Sequence, residues 1–215
     1  MKISVLIPTK NEPLINKLIE EIHEVLRKFE HEIIVIDKSD TKPNIKNAKL
    51  VVQKSNGLGK AVLEGLKYAK GDVIVTMDGD FSHDPKDLLR FLEKINENDI
   101  VIGSRFVPYG LTEDVTRRKF ISKIFLNLAS FILKIDITDP MSGFAMIKKN
   151  VYDNLKLNPL GYKINMEILY KGKKLGFKTE EVPITFHKRR AGETKTGLME
   201  ALRTLVFIFK LRFML

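Results

Sequence analysis

Val73-Ile74-Val75-Thr76-Met77-Asp78-Gly79-Asp80 is the stretch on which the fold turns. Val73–Met77 is rich in β-branched residues and reads as a buried strand, and a pair of carboxylates follows it at once. Similar runs lie on either side: Ile3–Ile7, Glu32–Ile36 and Leu50–Gln53 before it, Ile100–Gly103 after it. Helix-period segments separate them at Leu14–Phe29, Leu58–Ala69 and Pro85–Ile95. Strands that are apolar throughout, alternating with amphipathic helices, predict an α/β fold. Its sheet is mostly parallel and Rossmann-like, with helices on both faces. Pro13 and Pro85 stand where helices should start. Asp84 can cap the helix that opens at Pro85, and Asp87 falls in its first turn, where a negative charge is favoured.

In such sheets ligands bind beyond the carboxyl ends of the strands. That rule selects Pro8-Thr9-Lys10-Asn11-Glu12 after the first strand, Asp37 after the second, Asp78-Gly79-Asp80 after the fourth and Ser104-Arg105 after the fifth. Side chains two apart on an extended chain share a face, so Asp78 and Asp80 can address one hard cation such as Mg²⁺ or Mn²⁺. Gly79 between them allows close backbone approach. The plain alternative is a solvated turn, because Asp-Gly is also turn chemistry. Gly57-Leu58-Gly59-Lys60 precedes a helix and can either admit a phosphate or simply make a tight turn. It is not a Walker loop, since the spacing is wrong and no Ser or Thr follows Lys60. His83 reads as a loop residue beside a helix cap, neither ligand nor base. His23 and His31 read as surface residues.

The 215 residues fit one domain, with or without an appended subregion, and 44% apolar content supports a normal core. There is no cysteine, which excludes disulfides and thiolate metal sites. A formal charge of +10 favours anionic partners: nucleic acid, anionic lipid or phosphorylated small molecules. The strand-like run Ile3–Pro8 begins almost at once, so no signal peptide is expected ahead of it. No apolar stretch reaches the roughly 18 residues of a membrane span.

The second half is different in character. Residues 115–134 place Val115, Phe120, Ile121, Ile124, Phe125, Leu128, Phe131, Ile132 and, just beyond, Ile135 at three- and four-residue steps, edged by Arg117, Arg118, Lys119, Lys123 and Lys134. A basic amphipathic helix of this kind can lie in a lipid headgroup layer or pack on the sheet. Residues 198–215 repeat the pattern with Leu198, Leu202, Leu205, Phe209 and Phe213. That helix can lie on lipid, dock on the preceding helix or bind a membrane partner. A short strand in Asp139–Phe144 and a core-facing helix in Tyr162–Gly176 are expected between them, with Glu167 a candidate carboxylate near an acceptor.

The ordered motifs resemble the family 2 glycosyltransferases, and within them the dolichol-phosphate mannose synthases. Ile7-Pro8-Thr9-Lys10-Asn11-Glu12 is similar to the opening P-T-x-N-E. Gly57-Leu58-Gly59-Lys60-Ala61 is similar to G-L-G-x-A, and Met77-Asp78-Gly79-Asp80-Phe81-Ser82-His83 to M-D-x-D-x-x-H. Gly103-Ser104-Arg105, Asp139-Pro140-Met141-Ser142-Gly143-Phe144, Glu181-Val182-Pro183-Ile184-Thr185-Phe186 with Arg189, and Gly192-Glu193-Thr194-Lys195 complete the series. Where some relatives carry a third metal ligand, often Gln, this chain has Ser82. Asp37 is followed by Lys38 rather than a second acid.

The resemblance implies a GT-A type fold over residues 1–197, with a nucleotide-sugar half at 1–110 and an acceptor half at 111–197. Residues 198–215 would be an appended membrane- or partner-binding helix. It implies inverting, metal-dependent transfer of mannose from GDP-mannose to a polyprenyl phosphate. Pro8, Thr9, Glu12, Asp37 and Gly59 would hold the nucleotide-sugar. Asp78 and Asp80 would hold Mg²⁺ or Mn²⁺ on its diphosphate, and Arg189 and Lys195 would contact donor phosphates. Arg105, Arg118 and Ser122 would receive the acceptor phosphate, with Asp80, Arg105, Arg118 and Arg189 the catalytic set. The expected setting is cytoplasmic, peripheral on the inner face of the cell membrane, with a small membrane-anchoring subunit as a possible partner and no nucleic acid. Three alternatives stay open: UDP-glucose as donor, a nucleotidyltransferase releasing diphosphate, and a basic nucleic-acid-binding module.

Overall fold

The structure is a computed structural model. It describes residues 1–113, 116–161, 163–188 and 198–213, with the backbone alone at 116–122 and 198–202. Its strands are β1 (Ile3–Thr9), β2 (His31–Asp37), β3 (Lys49–Val52), β4 (Val73–Thr76), β5 (Ile100–Ser104), β6 (Leu111–Thr112), β7 (Ala145–Lys148), β8 (Thr179–Pro183) and β9 (Thr185–Phe186). Its α-helices are α1 (Ile15–Val25), α2 (Leu58–Leu66), α3 (Leu88–Ile95), α4 (Thr116–Leu133), α5 (Lys149–Asn154), α6 (Ile164–Lys174) and α7 (Leu198–Phe213).

The main sheet runs β3-β2-β1-β4-β7-β5-β8, and β6 and β9 form a small parallel pair beside it. The expected parallel α/β arrangement holds for β1, β2, β3, β4, and for β5 with β8. β7 is antiparallel and separates β4 from β5. One sheet therefore draws strands from both halves of the chain. The strand expected within Asp139–Phe144 begins later, at Ala145. Ahead of it Pro140 and Gly143 break extended structure, and Ser142 N–H closes a turn on Asp139 O at 3.2 Å.

α1 and α3 bury the faces their sequence spacing prescribes. α1 buries Ile15, Leu18, Ile19 and Ile22 against one side of the sheet, where α3 adds Leu88, Phe91, Leu92 and Ile95. α2 meets the other side with small residues, and a Cβ on Gly65 would lie 2.8 Å from Ile36 Cδ1. Each fully buried Ile or Leu contributes about 1.5–3 kcal/mol. α1 and α2 end earlier than their periodicity suggests, because the last turn tightens into i→i+3 bonds such as Phe29 N to Leu26 O and Tyr68 N to Gly65 O. At the other expected helix start, Asp84 accepts from Lys86 N at 2.9 Å and caps a 3-10 turn at Pro85–Asp87. Pro13 sits just outside α1.

α4 and α7 pack side by side. Their inner faces carry Leu126, Ala129 and Leu133, and Phe207, Ile208 and Leu211, all buried. Ile124, Leu128 and Phe131 point outward on α4, as do Val206, Phe209 and Phe213 on α7. Of the stripes expected from sequence, Ile124, Leu128, Phe131, Phe209 and Phe213 face outward, while Phe125, Ile132 and Ile135 pack with the core. Both helices are thus apolar on two sides. Among the described residues no helix is long and apolar enough to cross a membrane.

His23 and His31, expected at the surface, are partly exposed there and pair with each other. His23 Nδ1 lies 2.7 Å from His31 Nε2, a bond that clasps α1 to the start of β2.

Candidate active site

The parallel strands bring their carboxyl ends to one edge, and three loops there are tied together. Thr9 Oγ1 donates to Asp37 Oδ1 at 2.9 Å, and Ser39 donates to the same carboxylate from its N–H and its hydroxyl. Asn11, at φ 56°, exchanges bonds with Ser39 and Asp40. Lys38 Nζ reaches across to Asn56 Oδ1 at 2.7 Å and to Ser55 O. The expected nucleoside contacts Thr9 and Asp37 are therefore buried and bonded to each other. Here they brace the wall of the crevice, with half-buried Pro8 and Glu12 beside them.

Gly59 departs further from expectation. Its N–H donates to Gly161 O at 2.6 Å, and a Cβ there would stand 2.6 Å from Pro159 Cβ. The glycine is required by a protein loop lying over the start of α2, so its N–H is not presented to a ligand. Glu167 is likewise engaged in structure. Fully buried, it accepts from Asn158 N–H and from Lys171 Nζ at 2.7 Å, which fastens the segment before α6.

The acid pair follows β4. Asp80 is buried, and its Oδ1 accepts from both the N–H and the hydroxyl of Ser82. The turn between them requires Phe81 at φ 63°, a left-handed conformation that costs a non-glycine residue about 1–2 kcal/mol. Asp78 is more open, with a quarter of its side chain exposed. Gly79 packs against β1, where a Cβ would meet Thr9 Cγ2 at 2.8 Å, so its close approach is to protein.

The loop at 139–144 forms the opposite wall. Thr76 Oγ1 donates to Gly143 O at 3.1 Å and Asn165 Nδ2 to Ser142 O at 2.9 Å, so β4 and α6 both hold it. A Cβ on Gly143 would lie 3.3 Å from Asp78 Oδ1. Glycine therefore keeps the space beside that carboxylate open. Asp78 beside this space, with Asp80 two residues on, offers hard oxygen donors that suit Mg²⁺ or Mn²⁺, which commonly take one or two protein carboxylates and complete their shell with phosphate oxygens and water. Among the described residues no set of three or more His, Asp, Glu or Cys side chains forms a closed cage. Asp78 and Asp80 are the residues that would hold the ion.

Arg105, expected to take the acceptor phosphate, has a partner within the protein. Its Nε donates to Asp139 Oδ2 at 2.7 Å and its Nη2 to Oδ1 at 2.9 Å, and Asp139 is fully buried. Glu181 supports this fork by accepting from Asp139 N–H, Thr138 N–H and Thr138 Oγ1. The guanidinium also faces the ring of Phe186 at 5.2 Å. Its charge is matched before any ligand arrives. The side chains of Arg118 and Ser122, and all of Arg189 and Lys195, lie outside the described residues.

His83 is the residue that sequence reasoning undervalued. It is buried, stacks on Phe144 at 4.8 Å and meets Phe186 edge-on. Burial pushes the imidazole below its usual pKa, outweighing the pull of Asp78 and Asp80 in the other direction. Asp139, Gly143 and Glu181 stood inside quoted motifs without a role. Their partners are distant in sequence, so only the motif strings could have drawn attention to them.

Comparison with known proteins gives the family and the fold. Residues 4–156 match the profile of glycosyl transferase family 2. The dolichol-phosphate mannosyltransferase of Pyrococcus furiosus is 42% identical over 210 residues, covering 91% of this chain and 59% of that protein. The undecaprenyl-phosphate mannosyltransferase of Micrococcus luteus is 35% identical over 147 residues, 65% of this chain and 60% of that one. The chain thus spans about three fifths of the length of the curated relatives it matches. Among solved structures, a glucosyl-3-phosphoglycerate synthase of Mycobacterium tuberculosis in complex with Mn²⁺, UDP-glucose and glycerol 3-phosphate is similar with a TM-score of 0.72. It is 20% identical and covers 98% of this chain and 79% of its own. At that identity the likeness concerns the fold alone, which is of the GT-A type. With a family profile running from β1 through α5 and a relative 42% identical along most of its length, this chain belongs to glycosyl transferase family 2.

Proposed function

We propose that the chain transfers mannose from GDP-mannose to a polyprenyl phosphate at a membrane surface, with inversion at the sugar. The observation that carries this reading is the acid pair after β4, with Asp78 beside the space that Gly143 leaves open, in a chain whose relatives are named dolichol-phosphate and undecaprenyl-phosphate mannosyltransferases. A divalent ion held there by Asp78 and Asp80 would stabilise the charge growing on the nucleoside diphosphate leaving group. Pro8, Thr9, Glu12 and Asp37 shape the wall on the nucleoside side. Arg189 and Lys195 would meet donor phosphates, and Arg118 and Ser122 the acceptor phosphate. Arg105 orders the 139–144 wall through Asp139. A phosphate monoester is already largely ionised at neutral pH, so the attacking oxygen needs no dedicated base.

The outward stripes of α4 and α7 support a peripheral position on lipid. Ile124, Leu128, Phe131, Val206, Phe209 and Phe213 are exposed and are flanked by Lys123, Lys134, Arg203, Lys210 and Arg212. Each basic contact with anionic lipid contributes roughly 1 kcal/mol.

A second reading is UDP-glucose as donor, favoured by the solved enzyme of similar fold that holds it. Radiolabelled GDP-mannose and UDP-glucose, each offered with a short polyprenyl phosphate with and without chelator, separate the two. Transfer from GDP-mannose alone, abolished by chelator and reduced on the order of 100-fold or more in Asp80→Asn, is expected. Transfer that survives both chelator and the substitution would remove the acid pair from the chemistry.

A further inference from the structure

We propose that His83 is a positioning residue for the metal-binding acid pair, acting through the backbone of Asp78. The proposal rests on the reading of Asp78 and Asp80 as cation ligands.

Asp78 donates its N–H to Nδ1 of His83 at 3.0 Å. A ring nitrogen that accepts from a backbone N–H carries no proton, so the neutral ring has its hydrogen on Nε2. The ring is held in that orientation from two sides. Phe144, at the head of β7, stacks on it with an interplanar angle of 24°, and Phe186 of β9 meets it at 67°. The backbone is held as well: His83 bridges to Phe186, and His187 N–H donates to Ser82 O at 2.9 Å.

These contacts close the strained turn at Phe81. The turn has bonds at both ends, Asp78 to His83 and Ser82 to Asp80. Asp78 is therefore set from behind by the imidazole, while its carboxylate fits against Gly143 in front. A metal ligand needs its oxygen within about 0.2 Å of the right place. A residue that orients a ligand from outside the coordination shell typically governs 10- to 100-fold in metal affinity. A phenylalanine could fill the same aromatic niche, so the choice of histidine points to its nitrogen.

The test separates the ring from the nitrogen. His83→Phe keeps the stacking and loses the acceptor. His83→Asn places an amide oxygen near the position of Nδ1 and loses the stacking. Mn²⁺ is titrated by EPR into each folded protein in the presence of GDP, and separately of UDP, with Asp80→Asn as control. Melting temperature and exchange of the Asp78 amide hydrogen are followed in parallel. We expect His83→Phe to melt close to wild type, to bind Mn²⁺ about 10- to 100-fold more weakly and to lose protection at the Asp78 amide. His83→Asn should melt lower yet bind Mn²⁺ more tightly than His83→Phe. Wild-type Mn²⁺ affinity in His83→Phe, with affinity lost in Asp80→Asn, overturns the role of His83 and leaves the acid pair standing. Wild-type affinity in Asp80→Asn as well overturns the cation reading itself, and the proposal falls with it.

Discussion

Arg105 and Asp139 form a two-bonded fork across the crevice, Nε to Oδ2 at 2.7 Å and Nη2 to Oδ1 at 2.9 Å, with the carboxylate fully buried. The pair joins the end of β5 to the loop that walls Asp78. Breaking it from one side leaves a buried charge unmatched, which costs about 3–5 kcal/mol. Asp139→Ala should lose that much in urea unfolding. The double variant Arg105→Met with Asp139→Leu should recover most of it, because apolar replacement of both partners removes the desolvation cost. A single-variant loss below about 1 kcal/mol would mean that solvent screens the pair as it does at a surface.

Gly59→Ala sets two effects against each other. Alanine is favoured in a helix by about 1 kcal/mol. The new Cβ, however, would stand 2.6 Å from Pro159 Cβ and 3.0 Å from Gly161 O, and overpacking of that kind costs about 1–3 kcal/mol. Overpacking should win, lowering the melting temperature. A stabilised variant would show that the loop at 159–161 yields freely.

Asp87 makes stability depend on pH. Burial holds its carboxyl above the ordinary value of 3.8, partly offset by Arg90 and by the N–H of Thr185. The folded state then binds the proton more tightly than the unfolded chain. The stability contributed by this group is complete below 3.8 and is lost as pH rises through the elevated pKa. Asp87→Asn removes that downward contribution. Urea curves collected from pH 3.8 upward should show its stability climbing more steeply with pH than that of wild type. Parallel curves would place Asp87 at its ordinary pKa in the folded protein.

The outward helix faces predict lipid binding. Phe131→Ser combined with Phe213→Ser removes two exposed aromatics, each worth about 1.5–3 kcal/mol if buried in lipid. Partition onto anionic vesicles should fall on the order of 100-fold, and added salt should weaken the remainder. Cosedimentation measures both, and an unchanged melting curve confirms that the fold is intact. Equal cosedimentation of wild type and variant would move the lipid contact elsewhere.

The alternation of β-branched runs with three- and four-residue apolar spacing is local information, and it was enough to establish the α/β class. It also put Asp78 and Asp80 at the end of β4, because the end of a strand is written in the residues that form it. Which residues meet across the crevice is not local. Arg105 finds Asp139 and Asp139 finds Glu181 only because β7 runs antiparallel between β4 and β5, with β8 on the far side of β5. The protein loop over Gly59 and the backbone bond received by His83 likewise depend on close packing that spacing does not encode. Strand order is set by how whole faces bury against one another, so a charge or a glycine acquires its role only when a neighbour remote in the chain is brought within about 3 Å of it.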